Sequence, residues 1–164
     1  MPNWCSNTML VKGTPEQIEE FVEQMISDSK KGDNTDLSVL DFEAIAPMPR
    51  VLMSRKSPSD DGSITWHDWQ TENWGVKWGA CDAFMEEYGK GDDQAFYLYE
   101  TAWGPAMEWQ EKIIAYFPWL TFEFTWEEFN MNFSGRMRGE GGKVVEMEDD
   151  EISDERREEV FGDE

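Results

Sequence analysis

The side chains that most often carry catalysis are few and scattered in this chain. Its one histidine, His67, lies between Trp66 and Asp68 in a polar stretch, where an exposed imidazole with no chemical role is the simpler interpretation. The two cysteines, Cys5 and Cys81, are far apart and lack metal-ligand spacing, so we expect two packed thiols. The sequence therefore predicts no catalytic residue and favours a protein that is not an enzyme.

Phosphate and metal chemistry also lack a sequence signature. The glycine-rich stretch at residues 139–142 has no following Lys-Ser or Lys-Thr, which a phosphate-cradling loop requires. The acidic pairs Asp60-Asp61 and Asp92-Asp93 do not alternate oxygen ligands around a central glycine as an EF-hand loop does. Solvated charge is the simpler interpretation of these pairs, and we expect no metal and no cofactor.

The strongest chemical signal is the net charge of −22, from 14 Lys and Arg against 36 Asp and Glu. A field of that sign repels nucleic acid and anionic membranes and attracts basic proteins. Carboxylates at phosphate-like intervals would let the protein act as a DNA mimic, a decoy for a basic host or phage protein. A plain acidic surface is the alternative. The candidate protein-binding residues are Glu100, Glu123, Glu127, Asp149, Asp150 and Glu151.

Aromatic residues offer an alternative function, a domain that binds a small ligand or a nucleotide. One predicted strand carries regularly spaced rings that could stack bases, as the sheet of an RNA-recognition motif does. A small-residue turn between two tryptophans could form a pocket with one lysine. Core packing is the simpler interpretation of both groups, because no basic groove accompanies the rings. The candidate ligand-binding residues are Trp74, Lys77, Trp78, Tyr97, Tyr99 and Trp103.

Strands and helices alternate along the chain. Apolar residues with a period of two predict strands at 4–12, 95–103 and 120–127, and a terminal hairpin at 132–137 and 144–147. Single apolar stripes predict helices at about 15–28, where Thr14 and Gln17 form a capping box, and at 105–117. A short apolar segment at 37–45 completes the pattern as one further strand.

This order of elements predicts an α+β fold: a split β-α-β plait with a mostly antiparallel sheet and two helices on one face. We expect one domain over residues 1–147, with an insertion at about 46–72 that forms a long surface excursion. Residues 148–164 are strongly acidic and predict a disordered tail. No stretch approaches 18 apolar residues and the N-terminus has no signal-peptide pattern, so we expect a cytoplasmic protein in its host cell.

Short tryptophan-centred signatures indicate a family. They are residues 1–7 (MPNWCSN), 73–78 (NWGVKW) and 101–105 (TAWGP), followed by 117–122 (FPWLTF) and 133–135 (FSG). Together these signatures resemble the YubB-like ferredoxin-like domain family of phage and conjugative-plasmid proteins. The resemblance covers roughly residues 1–140. It implies a ferredoxin-like fold and a mobile-element origin, and it implies no particular activity.

Overall fold

A six-stranded antiparallel sheet forms the centre of the protein. The structure is a computed structural model, and it describes residues 2–26, 38–54 and 57–162. The strand order across the sheet is β2-β3-β1-β4-β5-β6. The strands are β1 (Trp4–Lys12), β2 (Cys81–Met85), β3 (Gln94–Ala102), β4 (Thr121–Glu128), β5 (Phe133–Glu140) and β6 (Lys143–Glu151). The helices of the described ranges are α1 (Pro15–Met25), α2 (Trp66–Trp74), α3 (Met107–Tyr116) and α4 (Asp154–Phe161), with two 3-10 turns at Phe42–Ala44 and Arg50–Ser54.

The connections make a split β-α-β plait. Helix α1 follows β1 and α3 connects β3 to β4, while β1 lies between β3 and β4 and pairs antiparallel with both. Strands β5 and β6 extend the sheet beyond β4 as a hairpin. The predicted α+β plait with an extra C-terminal hairpin is confirmed.

Helices α1 and α3 cover one face of the sheet. The apolar stripe of α1 is buried, and the Phe21 ring packs edge-on against Phe117 and Phe122 at centroid distances of 5.1 and 5.8 Å. Trp109 of α3 is fully buried in the same core. Gly139 of β5 permits this close packing, because a Cβ there would lie 2.4 Å from Cγ1 of Ile114. The predicted placement of both helices on one face is therefore correct.

The predicted strand at 37–45 is not present in its described part, residues 38–45. A 3-10 turn, Phe42–Ala44, takes its place, and the Asp41 carboxylate accepts a hydrogen bond from the backbone N–H of Glu43 at 3.0 Å. Phe42 stacks on Trp109 with 4.0 Å between ring centroids. The buried side chains of Leu40 and Phe42, with one backbone hydrogen bond from Asp41 to Met25, fix this segment to the core without a strand ladder. Residue 37 lies outside the described residues.

The insertion at 46–72 is folded over much of its described length, and residues 55 and 56 fall outside that description. Helix α2 begins with a capping box between Thr65 and Asp68 and ends at Gly75, whose φ of 85° suits a glycine. Met48, Leu52 and Trp74 are buried. The expected surface excursion is corrected, because its apolar residues dock on the core. Their spacing is too irregular to predict a helix from periodicity.

The expected disorder beyond residue 147 is also corrected for residues 148–162. Strand β6 continues to Glu151, and α4 follows with Ser153 as its N-cap. The guanidinium of Arg156 donates to both carboxylate oxygens of Glu127 at 2.7 and 2.8 Å. The Phe161 ring meets Phe129 edge-on at 5.1 Å. Arg156 and Phe161 thus attach a segment whose acidic composition predicts disorder.

Candidate functional site

The face of the sheet opposite α1 and α3, here called the open face, is the main candidate for a binding surface. Alternate residues of the same strands that build the core point to this side, and apart from Ala102 at the end of β3 they are half-buried or exposed. Its apolar centre consists of Leu10, Phe96 and Leu98, beside Thr8 and Thr125, whose hydroxyls are hydrogen-bonded to each other. Carboxylates and arginines from β3, β4, β5 and β6 surround this centre.

Two shallow depressions adjoin on the open face. One of about 280 Å³ is lined by Leu10, Phe96, Glu123 and Glu146 among others. A second, of about 430 Å³, is lined by Leu98, Glu100, Glu127 and Arg156 among others. An apolar floor with a charged rim is a common composition for a protein interface.

The cations of the open face lie beside carboxylates. Lys12 is 3.6 Å from Glu123, Arg136 is 2.9 Å from Glu148, and Arg156 is 2.7 Å from Glu127. The hydrogen bonds that Arg136 donates to the Glu148 carboxylate raise the pKa of Arg136, and those that Arg156 donates to Glu127 raise the pKa of Arg156. Within the described ranges, Glu100 and Glu146 have no cation within 4 Å. The positive charge is therefore neutralised locally, and the surplus on this face is negative.

The structure divides the predicted acidic residues between the two faces. Glu100, Glu123, Glu127 and Asp150 belong to the open face, since Asp150 pairs with Ser134, which pairs with Glu127. Asp149 and Glu151 alternate to the helix side of β6. Four of the six predicted protein-binding residues thus share one surface, and the side-chain alternation of β6 separates the other two from it.

Three of the predicted ligand-binding residues are buried and cannot stack on a ligand. Tyr97 and Tyr99 point toward the helices, and burial raises the pKa of each hydroxyl well above its usual range. Trp74 is buried under the insertion, and its indole N–H donates to the carbonyl of Ala46 at 2.9 Å. The prediction that these rings bind a ligand is corrected, because Tyr97 and Tyr99 lie on the core face of β3 and Trp74 packs into the same core from α2.

Lys77, Trp78 and Trp103 remain accessible at one end of the sheet. The Nζ atom of Lys77 lies 4.1 Å from the Trp78 ring centroid, so the chain's own ammonium occupies one side of that indole. Trp4 lies against Trp78, with 6.1 Å between centroids. Trp103 has a φ of 72°, and its backbone N–H donates to the backbone carbonyl of Asn3 at 2.7 Å. These contacts describe a structural corner.

The tryptophan signatures fasten β1 to the end of β3. The side-chain amide of Asn7 donates to Oγ1 of Thr101 at 2.9 Å and to the carbonyl of Cys5 at 3.0 Å. Thr101 in turn donates to the carbonyl of Gly104 at 2.5 Å. Burial raises the pKa of the Cys5 thiol to about 12, which leaves it an inert packed group. The signatures therefore stabilise the fold and are not themselves a reactive site.

Sequence reasoning missed the apolar residues and arginines of the open face. Leu10, Phe96 and Leu98 lie on one side of the alternating strands predicted at 4–12 and 95–103, but the alternation does not say which side of a strand the helices cover. A concavity of about 680 Å³ beside them is lined by Phe84, Phe96 and the carboxylates of Glu86, Glu87, Asp92 and Asp93. Phe84 is exposed on β2, at the edge of the sheet. Assigning this segment as a strand does not predict that its phenylalanine lies on the surface.

The part of the chain that the structure describes contains neither a metal-binding cluster of side chains nor a helix that could span a membrane. No three or more His, Cys, Asp or Glu side chains there are grouped so that they could hold a metal ion. No helix in the same residues is long and apolar enough to cross a membrane.

The fold and the open face define a ferredoxin-like α+β domain with one covered and one exposed sheet surface. Residues 73–162, more than half of the chain, match the family model described as the ferredoxin-like domain in Api92-like protein, so the chain belongs to that family. The crystal structure of the protein Api92 from Yersinia pseudotuberculosis superposes with a TM-score of 0.67 at 8% identity, over 93% of this chain and 99% of that one. That likeness is one of fold. No curated protein matches the sequence.

Proposed function

We propose that this protein is a non-enzymatic acidic interaction module that binds a basic protein through the open face. The observation that carries the proposal is the apolar centre of Leu10, Phe96 and Leu98 with carboxylates at its margin. Apolar area supplies affinity once it is removed from water, and the carboxylates select a basic partner and speed the encounter.

The specific form of the proposal is a decoy. With a net charge of −22, the protein would compete with DNA or RNA for the basic surface of a host nucleic-acid-binding or defence protein. The resemblance of its signatures to the YubB-like proteins of phages and conjugative plasmids supports this role, because a mobile element gains from blocking such a protein. In this proposal the partner is a protein of the host or phage, and the site of action is the host cytoplasm.

Displacement of DNA from a basic protein tests the decoy directly. A linker histone is bound to a short fluorescent DNA duplex, and the acidic protein is added while fluorescence anisotropy is followed. We expect release of the duplex at low salt and weaker release as ionic strength rises, because screening shortens the reach of the charges. Binding of the duplex by the acidic protein itself, or no release at any salt concentration, would contradict the proposal.

A matched pair of variants separates the open face from overall charge. Glu100→Lys with Glu123→Lys changes the charge of the open face, while Glu20→Lys with Glu23→Lys makes the same change on the exposed side of α1. We expect the open-face variant to need at least about tenfold more protein for half-release, and the α1 variant less than about threefold more. Equal weakening by both variants would mean that net charge acts without a defined surface.

A further inference from the structure

The two edges of the sheet differ in how far they are protected. Strand β2 is short, with an irregular register between Cys81 and Phe84 and a φ of 49° at Asp82. Strand β6 is nine residues long, contains no proline, and is exposed at every position. It pairs with β5 in regular register from Glu146 to Glu151. Natural edges are commonly blunted by short strands, bulges, proline or charged side chains. Strand β6 is neither short nor interrupted by proline, it has one irregularity of register between Val144 and Glu146, and its carboxylates are its main protection.

The free edge of β6 offers unpaired backbone groups. In the described residues β6 is the last strand in the sheet order and pairs with β5 alone. Every second backbone N–H and C=O of such a strand points away from the sheet and can pair with another extended chain.

Side chains in the first part of β6, residues 144–148, differ in chemistry between the two sides of the strand. Glu146, Glu148 and Asp150 point to the open face, since they pair with Arg138, Arg136 and Ser134. Val144 and Met147 point to the helix side, where they are 40% and 46% exposed beside α3. Asp149 and Glu151 follow on the same helix side. Over residues 144–148 an added strand would therefore find carboxylates on the open-face side and apolar side chains on the helix side.

We infer that β6 receives an extended segment of the partner as a seventh strand, and that this segment alternates basic and apolar residues. Its basic side chains would lie beside Glu146, Glu148 and Asp150, and its apolar ones would cover Val144 and Met147. Backbone hydrogen bonds supply affinity in such strand addition, and alternate side chains supply specificity. The inference rests on the proposed function for the charge of the partner, and it adds the shape that the segment must have.

Charge also decides against a second copy of the chain as the occupant. Two β6 strands paired antiparallel about Met147 would place Glu146 of each opposite Glu148 of the other. Like charges directly opposite in a sheet are destabilising, and the five carboxylates of β6 would add to this repulsion. A basic segment meets the opposite sign at each of these positions.

Two peptides of the same composition test the required shape. One is a blocked octapeptide of alternating lysine and valine, and the other has four lysines followed by four valines. NMR spectra and amide hydrogen exchange of the protein are recorded with each. We expect the alternating peptide to bind at least about tenfold more tightly and to slow exchange of β6 amides, because only it presents one charged and one apolar side as a strand.

A matched pair of methionine variants tests the edge itself. Met147→Lys places a cation on the edge, and Met131→Lys makes the same change at a residue 64% exposed in the turn between β4 and β5. We expect Met147→Lys to weaken the alternating peptide at least about tenfold and Met131→Lys less than about threefold. Circular dichroism and melting of both variants confirm that each remains folded.

The outcomes of these experiments distinguish failure of the inference from failure of the proposed function. Equal binding of both peptides, with resonance shifts on the open face and none on β6, would overturn the inference and leave the proposed function intact. The same holds if neither peptide binds while the protein still displaces DNA from the histone. If the protein binds neither peptide nor histone, both proposals fail. Protection of β6 amides that grows with protein concentration alone would make a second copy the occupant and overturn the inference.

Discussion

The two faces of the central sheet use the same strands for opposite purposes. On β1, the buried Met9 and Val11 pack under the helices, while Thr8 and Leu10 between them face outward. The strands β3 and β4 repeat this division. Neighbouring residues therefore belong to different surfaces, one that holds the fold together and one that is available to a partner. Substitutions on the open face can change binding while the core remains intact.

Removal of Trp109 should have the largest effect on the covered face. Trp109→Ala empties a fully buried site stacked on Phe42, and we expect the free energy of unfolding to fall by about 3–5 kcal/mol. Urea denaturation measures the change. The exposed Trp119→Ala serves as control and should cost less than about 1 kcal/mol. A loss under about 1 kcal/mol for Trp109→Ala would mean that the core lies elsewhere.

Asn7 tests the polar connection within the covered face. Asn7→Ala removes the hydrogen bonds to Thr101 and to the carbonyl of Cys5, and we expect a loss of about 1–3 kcal/mol in the free energy of unfolding. Ser6→Ala, one residue away on the open face, should change it by less than about 0.5 kcal/mol. Equal effects of the two variants would remove the distinction between the faces.

Truncation after Ser153 measures what α4 contributes across the end of the open face. The deletion removes the Arg156–Glu127 pair and the contact between Phe161 and Phe129. We expect a loss of about 1–2 kcal/mol in the free energy of unfolding, the sum of one exposed ion pair and one aromatic pair. Thermal melting measures it. An unchanged midpoint would show that α4 is not docked.

Tyr99→Phe should have a small effect of the opposite sign. The Tyr99 hydroxyl is buried and has no hydrogen-bond partner among the described residues, so its removal should leave the free energy of unfolding unchanged or raise it by up to about 1 kcal/mol. Chemical denaturation is the measurement. Destabilisation by more than about 1 kcal/mol would mean that the hydroxyl is bonded after all.

The open-face variant Glu100→Lys with Glu123→Lys should have the smallest effect on stability. Both side chains lie on the solvent side of the sheet, and Glu123 loses only a 3.6 Å contact with Lys12. We expect the free energy of unfolding to change by less than about 0.5 kcal/mol, while displacement of DNA from the histone weakens. Unfolding of this variant would show that the open face contributes to the core.

Local patterns were sufficient where the physics is local. The capping box of Thr14 and Gln17 forms as predicted, because its bonds span three residues. Likewise, the alternation of Phe122, Phe124 and Trp126 predicts one buried side of β4. The structures of the insertion and of the tail could not be predicted from local patterns. Helix α2 depends on the contact of Trp74 with Phe42, and α4 depends on the hydrogen bonds between Arg156 and Glu127. Composition cannot report partners so distant in the chain.

The sequence by itself determined the plait, the two core helices and the acidic character of the protein, because periodicity, caps and charge are properties of neighbouring residues. Tertiary structure decided which side of each strand became the core. It placed Tyr97 and Tyr99 under the helices and left Leu10, Phe96 and Leu98 outside. Both sides of β1 and β3 are apolar enough for burial, so the choice depends on where α1 and α3 pack, and that is fixed only when all the elements assemble.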